Sequence, residues 1–396
     1  MTDSLSSDAA TGTMTDSSLT APLVAVDRAG SELRRGGVAV IYSPQRTLLV
    51  GAAEAADAGL LDRLEGMAQA SARLIITARR ASVIGVPGDY PQTRQGAGVV
   101  ALTIPQPVEE TLVAVLSDPA AAINSNNPPP ILPDGCLAEA VEAGEPDEAA
   151  VILTKLARLL PAAIVVPLTL PAGQTAEGWA QERSIPAVAA TAITGYHETA
   201  ARTLRQVGEA RVPLEGAENT RIIAFRPADG GIEHLAIVIG TPEAGKPVLA
   251  RLHSECFTGD LLGSLRCDCG DQLRGAILSI SEAGAGVLLY LAQEGRGIGL
   301  VNKLRAYQLQ DSGFDTLDAN GQLGFDDDER IYQPAAEMLR QLGFDSVRLM
   351  TNNPLKVEAL ARHGVTVSER VPHVFQSNVH NLSYLRTKAV KGGHLF

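Results

Sequence analysis

Short apolar runs and longer alanine- and leucine-rich stretches alternate along the first half of the chain. The runs are typical of buried strands and the stretches of helices. The predicted elements are strand 36–42, helix 51–72, strand 73–77, helix 147–160, strand 162–167 and helix 197–205. A segment at 124–135 holds too many prolines for either element and is predicted to be a loop. This order indicates an α/β module with buried strands.

The pattern breaks near 207–216, after which strands come first and helices and strands then alternate. The predicted elements are strands 221–225, 234–239 and 247–252, helix 272–283, strand 286–290, helices 298–311 and 329–342, strand 347–350, helix 354–363 and strand 365–369. The chain is therefore expected to have an α/β (α+β) fold in two domains, at 21–206 and 207–396. The segment 1–20 is rich in Ser, Thr and Asp and lacks the regions of a signal peptide, so it is predicted to be a disordered tail.

Composition narrows the class of partner. A length of 396 residues favours two or three domains, and 45% hydrophobic residues are enough for a real core. The net charge of −12 and the 4% aromatic content argue against a polynucleotide partner, which needs a basic surface, but not against a single nucleotide. No apolar run approaches the roughly 20 residues of a membrane span, so no membrane partner is expected.

Three of the four cysteines, Cys256, Cys267 and Cys269, lie within fourteen residues. The spacing is unlike a disulfide framework and indicates a metal site in a reducing cytoplasm. Three thiolates can hold Zn²⁺ and leave a fourth position for water, which is the arrangement of a catalytic site. His253 is a candidate fourth ligand and would make the site structural. Three unligated thiols are a weaker reading, because Cys267-Asp-Cys269 is predicted to open a helix and to aim both sulfurs into one small volume.

A glycine-rich segment, Gln293-Glu294-Gly-Arg296-Gly-Ile-Gly299, lies between a predicted strand and a predicted helix. Such a junction suits phosphate, and Arg296 could bind an anion through two hydrogen bonds. Glu294 needs a partner rich in N–H groups, such as a guanine edge. An ordinary turn with a solvated ion pair is the alternative, since the glycine pattern alone is weak evidence.

Two further segments could be structural or functional. Thr351-Asn-Asn-Pro354 is good helix-capping sequence, and only Lys356 points toward phosphate. In Phe325-Asp-Asp-Asp328-Glu329-Arg330, the acids could complement a helix dipole. Alternatively they could supply a base or Mg²⁺ ligands, with Arg330 on a phosphate.

Taken in order, these motifs make the region 207–396 closely resemble GTP cyclohydrolase II, which opens riboflavin biosynthesis. The matching segments are Arg251-Leu-His-Ser-Glu255-Cys256, Ser264-Leu-Arg-Cys267-Asp-Cys269-Gly-Asp-Gln272, Gln293-Glu294-Gly-Arg296-Gly-Ile-Gly-Leu, Asn302-Lys-Leu-Arg-Ala-Tyr307, Asp328-Glu-Arg330 and Thr351-Asn-Asn-Pro. The combination is highly specific even where each part is not.

The resemblance implies a reaction and a set of roles. GTP would be hydrolysed to 2,5-diamino-6-(5-phosphoribosylamino)pyrimidin-4(3H)-one with release of formate and pyrophosphate. One Zn²⁺ on Cys256, Cys267 and Cys269 would supply the water that attacks C8 of the base, and Mg²⁺ would accompany the phosphates. The implied GTP contacts are Arg251, Leu252, His253, Ser254, Glu255, Gln272, Glu294, Gly295, Arg296, Thr316, Thr351 and Lys356.

Three residues carry implied catalytic roles. Asp328 would accept a proton, Arg330 would be the nucleophile at the α-phosphate, and Tyr307 would help complete ring hydrolysis. Because a guanidinium is hardly ever deprotonated, phosphate binding is the simpler role for Arg330. Two departures from the family pattern are Ala292, where an arginine is common, and Pro213-Leu-Glu-Gly216 at the domain opening. Family members are usually dimeric, so a cytoplasmic homodimer is expected.

The region 33–205 resembles a degenerate 3,4-dihydroxy-2-butanone 4-phosphate synthase domain. Arg34-Arg-Gly-Gly-Val-Ala-Val-Ile resembles its first strand, and Asp147-Glu-Ala-Ala-Val-Ile-Leu-Thr-Lys-Leu-Ala resembles one of its helices. The acidic loop expected after that strand is instead Ser43-Pro-Gln-Arg-Thr-Leu-Leu-Val, and no histidine precedes His197. The Mg²⁺ ligands of the synthase are therefore missing, and this domain is expected to serve structure, dimerisation or regulation.

Two other functions are alternatives for this chain. A non-catalytic homologue could keep the zinc site and act as a regulatory or scaffold subunit, although the intact Tyr307, Asp328, Arg330 and cysteines argue against it. A zinc-based nucleic-acid-binding module is disfavoured by the acidic charge and by the lack of paired Cys-x-x-Cys ligands.

Overall fold

A computed structural model of the protein describes residues 16–88, 90, 98–124, 132 and 134–373. Most of the tail predicted at 1–20, most of the loop predicted at 124–135 and the end of the second predicted domain, 374–396, lie outside these residues. No helix in the described part combines the length and apolar character needed to cross a membrane.

The first domain is a seven-stranded sheet covered by helices. Its strands are β1 Ala39–Tyr42, β2 Thr47–Ala52, β3 Arg73–Thr77, β4 Val99–Thr103, β5 Leu137–Ala140, β6 Ala162–Pro167 and β7 Ala187–Ala189. Its helices are α1 Asp16–Arg34, α2 Ala58–Ala68, α3 Ala78–Val83, α4 Glu110–Ser117, α5 Pro119–Asn124, α6 Pro146–Leu156, α7 Ala176–Glu182, α8 Ala190–Thr194 and α9 Tyr196–Arg202. The strand order is β5-β4-β3-β6-β2-β1-β7, and all neighbours are antiparallel except β1 and β7.

Both faces of this sheet are buried. Val40 and Leu49 belong to one apolar cluster, whereas Ile41 and Leu48 belong to a second cluster on the opposite face with α1 and α6. Successive side chains of a strand point to opposite faces, so a strand buried on both faces reads as a continuous apolar run. That reading predicted β3 and β6 to the residue.

The second domain is also a seven-stranded sheet, but a mixed one. Its strands are β8 Arg205–Arg211, β9 Thr220–Arg226, β10 His234–Ile239, β11 Val248–Ser254, β12 Gly286–Leu291, β13 Ser346–Met350 and β14 Thr366–Val371. Its helices are α10 Cys269–Glu282, α11 Leu300–Asp311, α12 Thr316–Gln322, α13 Gln333–Gln341 and α14 Pro354–Arg362. The order is β14-β13-β11-β12-β10-β9-β8, with parallel pairs from β14 to β12 and antiparallel pairs from β12 to β8. The predicted α/β (α+β) fold with a mixed second sheet is confirmed.

The N-terminal end differs from the prediction. Helix α1 begins at Asp16, inside the segment predicted to be a disordered tail, and it continues to Arg34. Leu23, Val26 and Leu33 are buried at helical spacing, and Val26 and Leu33 belong to an apolar cluster of the first domain. The polar composition of the first residues concealed this apolar stripe.

The predicted helix 51–72 is partly wrong. Gly51 and Ala52 end strand β2, which lies between β1 and β6, and the helix begins only at Ala58. Asp57 caps it by accepting a hydrogen bond from the Leu60 N–H at 2.6 Å. Alanine favours helices locally, but burial and pairing within the sheet decide the structure of 51–52.

The second sheet already begins at Arg205, inside the range assigned to the first domain. All seven residues of β8 are exposed, because it is the edge strand and neither face is covered. A strand with no buried face lacks the apolar pattern on which the prediction depended. The break predicted at 207–216 is therefore largely this edge strand.

Candidate active site

A cleft opens at the carboxyl ends of the parallel strands β11, β12 and β13, where open α/β sheets commonly bind ligands. It brings together most of the residues singled out in the sequence. Those that line it are Arg251, Leu252, His253, Ser254, Glu255, Cys256, Cys267, Cys269, Gln272, Glu294, Gly295, Arg296, Tyr307, Arg330, Thr351 and Lys356. Asp328 does not line it, and the side chain of Thr316, the first residue of α12, lies outside the described side chains.

The three thiols converge at one end of the cleft. Cys256 follows β11, whereas Cys267 and Cys269 flank the start of α10, and the three sulfurs all lie within 4.8 Å of one another. Gly259 approaches them so closely that a β-carbon there would stand 2.8 Å from the Cys267 sulfur and 3.1 Å from the Cys256 sulfur. The residues fit a thiolate-bound metal ion, since this glycine leaves room around the sulfurs that any side chain would fill.

His253 is not part of the thiol cluster. Its Nε2 lies 3.1 Å from the Asp260 carboxylate, its ring stacks on Tyr290, and the only metal-ligand group in the described part of the chain is the three cysteines. Asp260 also accepts a hydrogen bond from the Cys256 N–H at 3.0 Å. This arrangement supports the open three-ligand site over the closed site with His253.

Lys303 is a site residue that the sequence reasoning did not single out. Its ammonium is buried and lies 3.2 Å from the Cys256 sulfur, 2.9 Å from the Thr258 hydroxyl and 2.8 Å from Glu294. Burial opposes its charge, but Glu294 and Cys256 outweigh burial and raise the pKa of Lys303. Its one-turn spacing from Tyr307 on α11 was the available signal, because both side chains reach the cleft from one helix face.

The cysteines influence one another strongly. Hydrogen bonds from Cys267 and Cys269, together with the Lys303 ammonium, hold the pKa of Cys256 well below its ordinary value. The hydrogen bond between Cys267 and Cys256 has the opposite effect on its other partner and raises the pKa of Cys267 to about 11. The protein itself thus favours a thiolate at Cys256, and a cation bound by the three sulfurs would favour the thiolate form of the other two.

Glu294, the second residue of the glycine-rich segment, connects that segment to the thiol cluster through hydrogen bonds with Phe257 and Lys303. Its carboxylate accepts hydrogen bonds from the Phe257 N–H at 2.6 Å and the Gly295 N–H at 2.7 Å, besides the Lys303 ammonium. Gly295 and Arg296 follow in left-handed conformation, with φ of 64° and 61°, before α11 begins at Leu300. The predicted strand-to-helix junction is confirmed, and most of the hydrogen-bonding capacity of Glu294 serves to hold it.

Positive charge gathers along the cleft. Its lining carries six cationic side chains, Arg251, Arg266, Arg296, Lys303, Arg330 and Lys356, against the two carboxylates of Glu255 and Glu294. Arg251 is buried, donates to the Met350 carbonyl at 2.9 Å, and has an Nε without a hydrogen-bond partner among the described residues. In a chain of net charge −12 this concentration indicates a site for a strongly anionic ligand.

The acidic segment is not arranged as expected. Asp328 holds Arg330, whose Nε donates to it at 2.7 Å, and this ion pair with the nearby Arg296 outweighs burial and lowers the pKa of Asp328. Asp326 and Asp327 both bind Arg79 of the first domain at 3.0 Å. Helix α13 begins only at Gln333, so these acids precede it by too much to complement its dipole.

The segment at 351–356 has both a structural and a cleft role. Asn353 accepts a hydrogen bond from the Leu355 N–H at 3.0 Å and so caps α14, with Pro354 in the first turn. The Lys356 ammonium donates to the Leu252 carbonyl at 2.8 Å, which joins α14 to β11. The predicted cap is confirmed, and Thr351 and Lys356 also line the cleft, where their predicted contact with a ligand stays a prediction.

Comparison with known proteins gives a consistent match. The family model for GTP cyclohydrolase II matches residues 205–372. A GTP cyclohydrolase-2 from Azospirillum brasilense is 56% identical over 379 residues, 95% of each chain. One from Pseudomonas aeruginosa is 56% identical over 189 residues, which cover 48% of this chain and 92% of that protein. The A. brasilense relative is therefore similar through both domains.

Solved structures give a weaker overlap. A two-domain 3,4-dihydroxy-2-butanone 4-phosphate synthase from A. baumannii matches with a TM-score of 0.36 and 17% identity, covering 88% of this chain and 99% of that one. That overlap is too low to support an argument about the first domain, so its resemblance to the synthase remains a prediction.

Proposed function

Since this chain belongs to the GTP cyclohydrolase II family, and is therefore an enzyme, we propose that its cleft hydrolyses GTP with release of formate and pyrophosphate, in riboflavin biosynthesis. The observation that carries the proposal is the meeting of six cationic side chains with a three-thiol cluster in one cleft of an acidic protein. The first feature suits a triphosphate, and the second suits the hydrolytic opening of a ring.

Cys256, Cys267 and Cys269 would hold Zn²⁺, which supplies a Lewis acid and lowers the pKa of bound water from about 15.7 toward about 7. The residues around it would do the rest. Lys303 helps hold the pKa of Cys256 below its ordinary value and pairs with Glu294 at 2.8 Å. Tyr307, whose pKa burial raises to about 12, stays protonated and can donate a hydrogen bond. Arg251, Arg296, Arg330 and Lys356 would bind the phosphates and orient the base toward the metal.

Mg²⁺ would be held mainly by the phosphates of GTP. No cluster of three carboxylates able to bind it occurs in the described part of the chain, and Asp326 and Asp327 are occupied by Arg79. The proposal is tested by incubating the full chain with GTP, Zn²⁺ and Mg²⁺ and measuring formate, pyrophosphate and the diaminopyrimidine. Equal amounts of formate and pyrophosphate are expected, whereas zinc-loaded protein without turnover would support the non-catalytic scaffold.

Arg330 would act as a phosphate clamp rather than a nucleophile, because its ion pair with Asp328 stabilises the protonated guanidinium. We expect Arg330→Met to lower kcat/KM for GTP by about a hundredfold and Arg330→Lys, which keeps the charge, to lower it by only about tenfold. Steady-state pyrophosphate release measures both. A lysine variant as inactive as the methionine variant would contradict the clamp.

The first domain would have no synthase activity of its own. Its buried Asp147 is held at 2.9 Å by both Arg46 and Arg73, and the turn at 43–46 carries no acid. We expect the full chain with Cys267→Ser, incubated with ribulose 5-phosphate and Mg²⁺, to leave the sugar phosphate unchanged. Conversion above the rate without protein would contradict this expectation.

A further inference from the structure

The first domain contacts the acidic segment, residues 326–329, directly. It also contacts residues on either side of the left-handed turn, residues 294–297, because Arg158 lies against Ala292 and Gly299. The contacts come from α3, α6 and the residues after α6, and they include ion pairs as well as hydrogen bonds. The first domain is therefore in direct contact with parts of the second that carry functional side chains.

Arg79 and Lys155 hold the acidic segment. Arg79 binds Asp326 and Asp327 at 3.0 Å each, and Lys155 binds Glu329 at 2.7 Å. The Lys155 and Glu329 side chains are only 18% and 19% exposed, so water screens this ion pair weakly. The Glu329 carboxylate also accepts the Asp326 N–H at 2.9 Å, which fixes the segment as a compact loop.

The acidic segment in turn holds the left-handed turn. The Glu329 N–H donates to the Arg296 carbonyl at 3.1 Å, and the Arg296 guanidinium donates to the Asp327 carbonyl at 3.2 Å. Gly297 lies so close that a β-carbon there would stand 2.8 Å from the Glu329 carbonyl oxygen. Arg296 has a β-carbon, and its φ of 61° persists only where neighbours over-determine it. The acidic segment supplies that constraint.

The first domain also contacts helix α11, which follows the left-handed turn in the chain. The buried Asn302 of α11 donates to the carbonyls of Arg158 at 3.2 Å and Leu159 at 3.3 Å. Leu160 of the first domain belongs to the apolar cluster formed by α11 and α12. Lys303, which contacts the thiol cluster, is the next residue on that helix.

We infer that the first domain is a positioning unit for the active site, in which Lys155 and Arg79 hold Arg296 in its ligand-binding conformation through residues 326–329. The inference rests on the proposed function for its kinetic consequence only. Lys155 and Arg79 do not line the cleft, so they act through Arg296 and are positioning residues. Loss of either contact lets the turn relax, and the fraction of protein able to bind the triphosphate falls.

The test compares the full chain with Lys155→Met, Arg79→Met and the conservative Lys155→Arg. We expect KM for GTP to rise about tenfold in each methionine variant, with kcat and zinc content near those of the parent, and Lys155→Arg to restore KM. The matched control is Arg35→Met, which removes one positive charge from an exposed ion pair with Glu32. Its KM is expected to equal that of the parent.

Hydrogen exchange gives a readout that does not depend on turnover. Amides at 294–297 should exchange about tenfold faster in Lys155→Met than in the parent or in Arg35→Met. Parent-like exchange and KM in both methionine variants would overturn the inference, as would a loss confined to kcat and proportional to lost zinc. If the parent did not turn over GTP, the proposed function would be wrong. Faster exchange at 294–297 in Lys155→Met would still support the positioning role.

Discussion

Replacing Cys267 with serine is expected to lower turnover of GTP by more than about a thousandfold, because the metal ion proposed to activate water would lose one of its three ligands. The Cys267 sulfur lies 3.7 Å from that of Cys256, so a hydroxyl in its place cannot close the same thiolate cluster. Formate release under saturating Zn²⁺ measures the effect, and zinc content measured on the same samples is expected to fall.

The chain provides a matched control for this substitution. Cys136 lies in the first domain, is half-buried and does not belong to the metal-ligand cluster. Cys136→Ser should keep the zinc content and turnover of the parent. Formate release at the parent rate by Cys267→Ser would contradict the assignment of the thiol cluster as catalytic.

Replacing Lys303 with methionine is expected to lower kcat/KM for GTP by about a hundredfold. The substitution leaves the buried Glu294 and the Cys256 sulfur without their cation, and breaking a buried ion pair costs about 3 kcal/mol. The raised pKa of Lys303 means that its charge is present throughout the neutral range, so the loss should not depend on pH between 6 and 8 within about twofold.

Lys246→Met is the control for Lys303→Met, because Lys246 is exposed and its partner Glu243 is exposed as well. It should behave as the parent. If Lys303→Met kept the activity and zinc content of the parent, the contacts of Lys303 with Cys256 and Glu294 would contribute neither to turnover nor to metal binding.

The sequence predicted elements best where both faces are buried. Strands β3, β6 and β10 were predicted to the residue, because a run of apolar side chains marks a strand covered on both sides. The edge strand β8 was missed because it has no buried face, and the last two residues of β2, Gly51 and Ala52, were assigned to a helix because glycine and alanine carry little strand signal. These two strands are stabilised by pairing with other strands, β8 with β9 and β2 with β6, and the local sequence pattern does not reveal that pairing.

The site was predictable where chemistry lies in contiguous motifs. The cysteines and Arg251–Glu255 reach one cleft because strand ends and helix starts meet at one edge of a parallel sheet. Lys303 carried one local signal, its one-turn spacing from Tyr307, but its contact with Cys256 exists only in the tertiary structure. Asp326 and Asp327 were misread because their partner, Arg79, lies in the other domain, 247 and 248 positions earlier in the chain.

We propose that one zinc ion on the three cysteines drives the hydrolysis of GTP in this chain. This role of zinc is tested most directly by stripping the protein of metal, titrating Zn²⁺ back, and measuring formate and pyrophosphate at each step. We predict that turnover is absent without metal, rises in proportion to bound zinc and saturates at one ion per chain. Turnover that is independent of zinc, or zinc bound at that ratio without turnover, would contradict the account.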